Sequence, residues 1–155
     1  RADPHAADGD QRSIELMSLF SIFNVAGSGM AAQSLRLNTV ASNLANADSV
    51  ASTPDGAYRS REPLFAAVKN QQDSGSNAVG EGVQVLGVTE SQAAIPSRYE
   101  PGNPLADADG YVYSSNVNPV DELVNMISAS RSYQNNVEVM NSTRQLMQKT
   151  LDLGK

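Results

Sequence analysis

Met17–Asn46 reads MSLFSIFNVAGSGMAAQSLRLNTVASNLAN, thirty residues with one charge, Arg36. Taken at alternating steps of three and four, it yields Leu19, Phe23, Ala26, Met30, Gln33, Leu37, Val40 and Leu44. Seven of these eight positions are apolar, which is the repeat of a coiled-coil strand. A helix with one face in water normally carries charges there. This one offers Ser18, Ser21, Asn24, Ser28, Ser34, Asn38, Thr39, Ser42 and Asn43 instead. Uncharged hydroxyls and amides suit a helix whose every side meets other protein. The stretch predicts an element built for assembly.

A second seam closes the chain through Leu123, Met126, Ser130, Tyr133, Val137, Met140, Arg144, Met147 and Leu151. Asn118 is placed to cap this helix, Pro119 suits its first position, and Asp121 and Glu122 put negative charge in its first turn. Lys149 complements the dipole at the far end, and Gly154 suits its termination. At about 1.5 Å per residue each helix spans roughly 45–50 Å, more than a small core needs. The pattern predicts an α+β chain whose long terminal helices pair as a coiled coil around a small β-rich module. A hairpin packed on an ordinary domain is the plainer alternative, and the scarcity of surface charge speaks against it.

The chain between the helices changes period. Ala47–Gly56 (ADSVASTPDG) is rich in turn residues, above all Pro54-Asp55-Gly56. Ala57–Val68 reads as extended, with Pro63 making it an edge strand or two short pieces. Asn70–Gly82 has three glycines and few apolar residues, the composition of a mobile loop. Val83–Glu90 alternates like a strand, and Ile95–Tyr99 is a further candidate broken at Pro96. Asp109-Gly110 is a turn leading into Tyr111-Val112-Tyr113. The expected division is an added leader at 1–16, an N-terminal axial helix at 17–46, a β-rich module at 47–117 and a C-terminal axial helix at 118–155. The first ten residues, with Asp3, Pro4, His5, Asp8, Gly9 and Asp10, show no helical period, and they lack the basic start and apolar stretch of a secretory signal.

Composition narrows the function. A formal charge of −6 with no local Lys/Arg cluster argues against a nucleic-acid surface. No apolar run reaches the length of a membrane span. The absence of cysteine removes thiol chemistry and disulfides, and the one histidine, His5, lies in the leader, so a Ser-His or Cys-His arrangement has no histidine to use. Asp107-Ala108-Asp109-Gly110 has the look of a calcium loop, but the first ligand position falls on Leu105 and the closing one on Asn116. Gly27-Ser28-Gly29 is too short to cradle phosphate, and paired glycines in a helix imply a bend or a close helix contact. An enzyme using Asp107 and Asp109 needs a pocket that so small a module hardly provides. No catalytic, cofactor or metal site is expected.

Two motifs carry a specific resemblance. Ala41-Ser42-Asn43-Leu44-Ala45-Asn46-Ala47-Asp48-Ser49, followed by Gly56-Ala57-Tyr58-Arg59, resembles the motif ending the N-terminal helix of bacterial flagellar rod and hook axial proteins. Asn116–Ile127, with Arg131-Ser132-Tyr133-Gln134-Asn135-Asn136-Val137, resembles the C-terminal helix of that family. The resemblance runs from Met17 to about Gly154 and is nearest the proximal rod members. A longer insert through Pro54-Asp55-Gly56 replaces the family's usual Thr-x-Gly-Tyr run, and residues 1–16 have no counterpart. It implies a structural, torque-bearing subunit of the drive shaft crossing the periplasm. Such a subunit assembles helically through its terminal helices and leaves the cell interior by the flagellar type III apparatus without a cleaved signal. Implied partners are copies of itself, other rod proteins and components of the basal-body base, with the surrounding ring left open; nucleic acid and a membrane span are not implied. The implied motif positions are Asn43, Ala45, Asn46, Asp48, Tyr58, Asn118 and Pro119. The expected assembly surface is Leu19, Phe23, Met30, Leu37, Val40 and Leu44 with Leu123, Met126, Tyr133, Val137, Met140, Met147 and Leu151. A coiled-coil adaptor that does not polymerise is the competing reading.

Overall fold

A computed structural model describes residues 4–68 and 82–152. Two long helices, α1 (Pro4–Ala45) and α2 (Pro119–Asp152), flank five short strands. These are β1 (Val50–Ala51), β2 (Arg61–Val68), β3 (Gly82–Glu90), β4 (Ser97–Tyr99) and β5 (Tyr111–Ser114). The chain is α+β, as the seams and turn signals imply. It divides into two compact units: one gathers the described parts of Arg1–Ala32, Ala66–Gln84 and Ser132–Lys155, the other Gln33–Phe65 and Val85–Arg131.

The helix borders follow local chemistry. Asn118 Oδ1 accepts a bond from Val120 N at 3.0 Å, so it caps α2 with Pro119 in the first helical position. The apolar period begins at Met17, but α1 starts at Pro4. Adding turns to an existing helix needs no new nucleus, and the alanines and other helix formers ahead of Met17 suffice to propagate it. Most of the expected mobile loop, Asn70–Gly82, lies outside the described residues; its last residue, Gly82, opens β3.

Strands β1, β5 and β4 form one antiparallel sheet in that order, with Val50 opposite Ser114 and Arg98 opposite Val112. Strand β1 sits in a segment whose composition reads as turn. Two residues carry no period, and only pairing with β5 makes them a strand. The ladder continues past β4, where Ser114 N donates to Pro96 O at 2.9 Å. Strands β2 and β3 make a separate two-stranded sheet. Strand β2 runs unbroken through Pro63, which a strand paired on one side only tolerates. Between β4 and β5 the chain turns at Gly110 with φ +83°, where a Cβ would stand 2.8 Å from the Tyr99 ring, so only glycine fits.

The core is thin. Among the described residues the buried apolar side chains are Ala26, Ala32, Val40, Ala57, Val112, Val117 and Ala129, without a Leu, Ile, Met or Phe. Larger apolar side chains stand in solvent instead, including Phe20, Leu86, Val120, Leu123, Val124, Ile127 and Leu151. Scattered apolar exposure is ordinary, but stripes of it on helices mark interaction surfaces.

Candidate functional site

One buried side chain organises the larger strand-bearing unit. Asn43, near the end of α1, is fully buried with all four hydrogen-bonding positions filled. Its Nδ2 donates to Arg61 O at 2.9 Å and to Ser60 Oγ at 3.3 Å. Its Oδ1 accepts from Arg61 N at 3.0 Å and from Tyr58 Oη at 3.1 Å. An amide in this position mimics a strand partner, holding both backbone groups of Arg61 against the helix. Ser42 Oγ lies 3.2 Å from the same Tyr58 hydroxyl, and the Arg61 guanidinium stacks 5.5 Å from the Tyr58 ring centroid.

A second asparagine completes the junction. Asn116 Oδ1 accepts from Ser60 N at 2.7 Å, and its Nδ2 donates to Ala93 O at 3.2 Å. Ser60 Oγ reaches Glu122 Oε1 at 3.5 Å, so a relay runs from α1 through Ser60 to α2. Glu122 is buried, and among the described residues nothing bonds its Oε2. It lines a cleft of about 310 Å³ with Arg36, Arg61, Glu62, Phe65 and Asn125. Arg36, the one charge in Met17–Asn46, is spent inside this unit, donating to Asn125 Oδ1 at 2.8 Å.

The motif residues therefore divide by role. Asn43 and Tyr58 are the junction. Asn46 closes α1, its Nδ2 donating to Ser42 O at 2.8 Å while its carbonyl accepts from Ser49 Oγ at 2.7 Å. Asn118 and Pro119 begin α2, and Ala45 and Asp48 face solvent. Ser60, Asn116 and Glu122 escape notice as a set in the sequence, because their partnership joins residues more than fifty positions apart. The available signal is the polar character of positions that sit beside the apolar seams.

On α1, Val40 is buried, Leu19, Met30, Leu37 and Leu44 are half-buried, and Phe23 is exposed. On α2, Met126, Val137, Met140 and Met147 are half-buried, while Leu123, Tyr133 and Leu151 are exposed. The most buried positions of α2, Glu122, Ala129 and Thr143, lie beside that seam rather than on it. In the smaller unit the helices approach closely at Gly29, where a Cβ would meet Asn136 Nδ2 at 2.8 Å. Paired glycines thus mark a close contact. Neighbouring Ser28 Oγ accepts from Val83 N at 3.0 Å and ties the start of β3 to the helix.

The acidic turn is occupied by its own backbone. Asp107 Oδ1 accepts from Tyr111 N at 2.8 Å and Asp109 N at 3.0 Å, and Oδ2 accepts from Tyr113 Oη at 3.0 Å. The Tyr111 amide, helped by the Tyr113 hydroxyl and other turn amides, holds this carboxyl below its ordinary pKa. The bond to Asp107 raises the Tyr113 phenol. Among the described residues no cluster of three or more His, Asp or Glu is placed to hold a metal ion. None of the described helices is long and apolar enough to cross a membrane.

Two long helices with exposed apolar stripes, joined by a small sheet module through a polar lock, define a subunit whose business is contact with other protein. Known sequences agree. The family model described as "Flagella basal body rod protein" matches residues 23–51, and "Flagellar basal body rod FlgEFG protein C-terminal" matches residues 108–153. The flagellar basal-body rod protein FlgC of Salmonella typhimurium is 54% identical over 140 residues, 90% of this chain and 100% of its own length. The FlgC of Escherichia coli O157:H7 is also 54% identical with the same coverage, and that of Bacillus subtilis is 37% identical over 150 residues. The chain belongs to the FlgC family of flagellar basal-body rod proteins.

Proposed function

We propose that this chain works as a structural subunit of the proximal rod, transmitting torque through the periplasm and assembling by its terminal helices. It is a rod protein and not an enzyme. The observation that carries this reading is the match to FlgC along the relatives' whole length. In the assembled rod the seams of α1 and α2 pair as a coiled coil, with Leu19, Phe23, Met30, Leu37, Val40 and Leu44 facing Leu123, Met126, Tyr133, Val137, Met140, Met147 and Leu151 of the same or neighbouring subunits. Residues 17–46 and 118–155 are the axial helices, and 47–117 is the module they carry. The Asn43–Ser60–Glu122 relay and the Asn116 bond make that module turn with the helices rather than slip on them. Partners are copies of this chain, other rod proteins and the basal-body base. Export by the flagellar type III apparatus fits a subunit that acts outside the cytoplasm.

Expression in a bacterium lacking its own FlgC tests the reading. Swimming in soft agar and rods in isolated basal bodies are expected to return. A protein that is made and exported but restores neither, and forms a fixed small oligomer at every concentration, is the adaptor instead.

A further inference from the structure

Two exposed stripes in the larger unit match each other in spacing, size and charge. On α2, Val120, Leu123, Val124 and Ile127 fall at i, i+3, i+4 and i+7 and are 67%, 50%, 62% and 55% exposed. At 100° per residue their mean direction lies opposite Glu122, Asn125 and Ala129, the face turned into the unit. On α1, Ser34, Asn38, Ala41 and Ala45 are all exposed, small and uncharged, and they point away from Arg36, Val40 and Asn43. Large knobs on one helix and shallow holes on the other are the two halves of a ridge-into-groove contact. Within one subunit both stripes face outward and leave each other unmet.

The stripes also share a register. Aligning Val124 with Ala41 brings Ile127 to Ala45 and Val120 to Asn38, since the steps of three and four nearly coincide. In the same register exposed Arg131 falls level with exposed Asp48, which lies in the turn three residues beyond the end of α1. Reversing the direction about the same pair would set Arg131 level with Ser34 and Asp48 level with Val117, so neither charge meets an opposite one. We infer that the outer face of α2 docks in parallel on the outer face of α1 of a second copy, Val124 on Ala41 and Arg131 beside Asp48. This rests on the rod-subunit reading and adds to the seam pairing a second contact between copies. Because the two surfaces differ, the contact is head-to-tail, and each copy keeps one free face for the next unless the rotation closes a ring. Its apolar side covers on the order of 400 Å², about half of what each partner buries in a stable pair, so it forms when a growing end already holds a copy in place.

Disulfide trapping tests it, because the chain has no cysteine to give background. Val124→Cys and Ala41→Cys are introduced together, and basal bodies from complemented cells and the concentrated purified protein are oxidised. The double variant is expected to give dimers and a ladder, and each single variant monomer. In the purified protein Arg131→Asp should lower the yield about two- to five-fold, and adding Asp48→Arg should restore it. Dimers from Val124→Cys alone, cross-links to a different rod protein, or no ladder from either sample would overturn the inference. The unsubstituted chain is assayed for swimming alongside: its rescue with a failed ladder removes only these faces, whereas its failure to rescue removes the rod reading itself.

Discussion

Asn43→Ala removes the amide that holds the module to α1. Four partners lose it: Arg61 N, Arg61 O, Tyr58 Oη and Ser60 Oγ. The two hydroxyls retain company, Tyr58 with Ser42 and Ser60 with Glu122, and add little to the cost. The Arg61 amide and carbonyl both turn to Asn43, and each part-buried backbone group left unpaired costs about 1–3 kcal/mol. A net loss of about 3 kcal/mol is expected, a large share of the roughly 5–15 kcal/mol that holds a domain folded. Asn43→Asp should do no better, because it keeps the acceptor, loses the donor and places a charge in a fully buried position. Urea unfolding followed by circular dichroism gives the global loss. Hydrogen exchange at the Arg61 amide gives the local one, with an acceleration of about a hundredfold for 3 kcal/mol. If Arg61 stays protected to within about tenfold of the parent in Asn43→Ala, the amide is not the lock and the reasoning fails.

Further outcomes follow from the same contacts. Gly29→Leu should cost about 2 kcal/mol by forcing the helices apart, whereas Gly29→Ala should cost far less, because the Asn136 side-chain end swings aside and alanine favours the helix; thermal melts distinguish the two. Asp107 has a depressed folded-state pKa, so its stabilising contribution is present above the ordinary carboxylate value near 3.8 and is lost as pH falls through the lower folded value. Asp107→Asn should therefore flatten the acid limb of stability below about pH 4, and NMR titration should show the Tyr113 phenol returning toward its ordinary range. Val40→Asp should unfold the isolated chain by several kcal/mol, since it buries an unpaired charge, while Leu123→Asp should leave isolated stability within about 0.5 kcal/mol and stop swimming. Normal motility with Leu123→Asp would show that this side chain stays in water after assembly.

The sequence carries in legible form the elements whose causes are local. The 3.5-residue seam of α1, the Asn118-Pro119 start of α2, the glycine turn before β5 and the glycine pair that admits close helix contact all lie within a few residues of their effects. It also established the rod-family membership, because the motifs at both helices stand in linear order. Tertiary structure alone decided the rest. Val50–Ala51 is a strand only because β5 offers it a ladder. Glu122, a first-turn acid by pattern, is buried because Ser60 arrives from sixty-two positions away. The seam of α2 names apolar residues without saying which of them the chain covers: Ala129 and Thr143, beside the seam, are buried, and Leu123 and Leu151, on it, remain in solvent. Periodicity ranks the faces of a helix by polarity, but burial depends on how near the neighbouring backbone can come. In this chain small residues win that approach, and the large apolar ones stay at least partly in solvent.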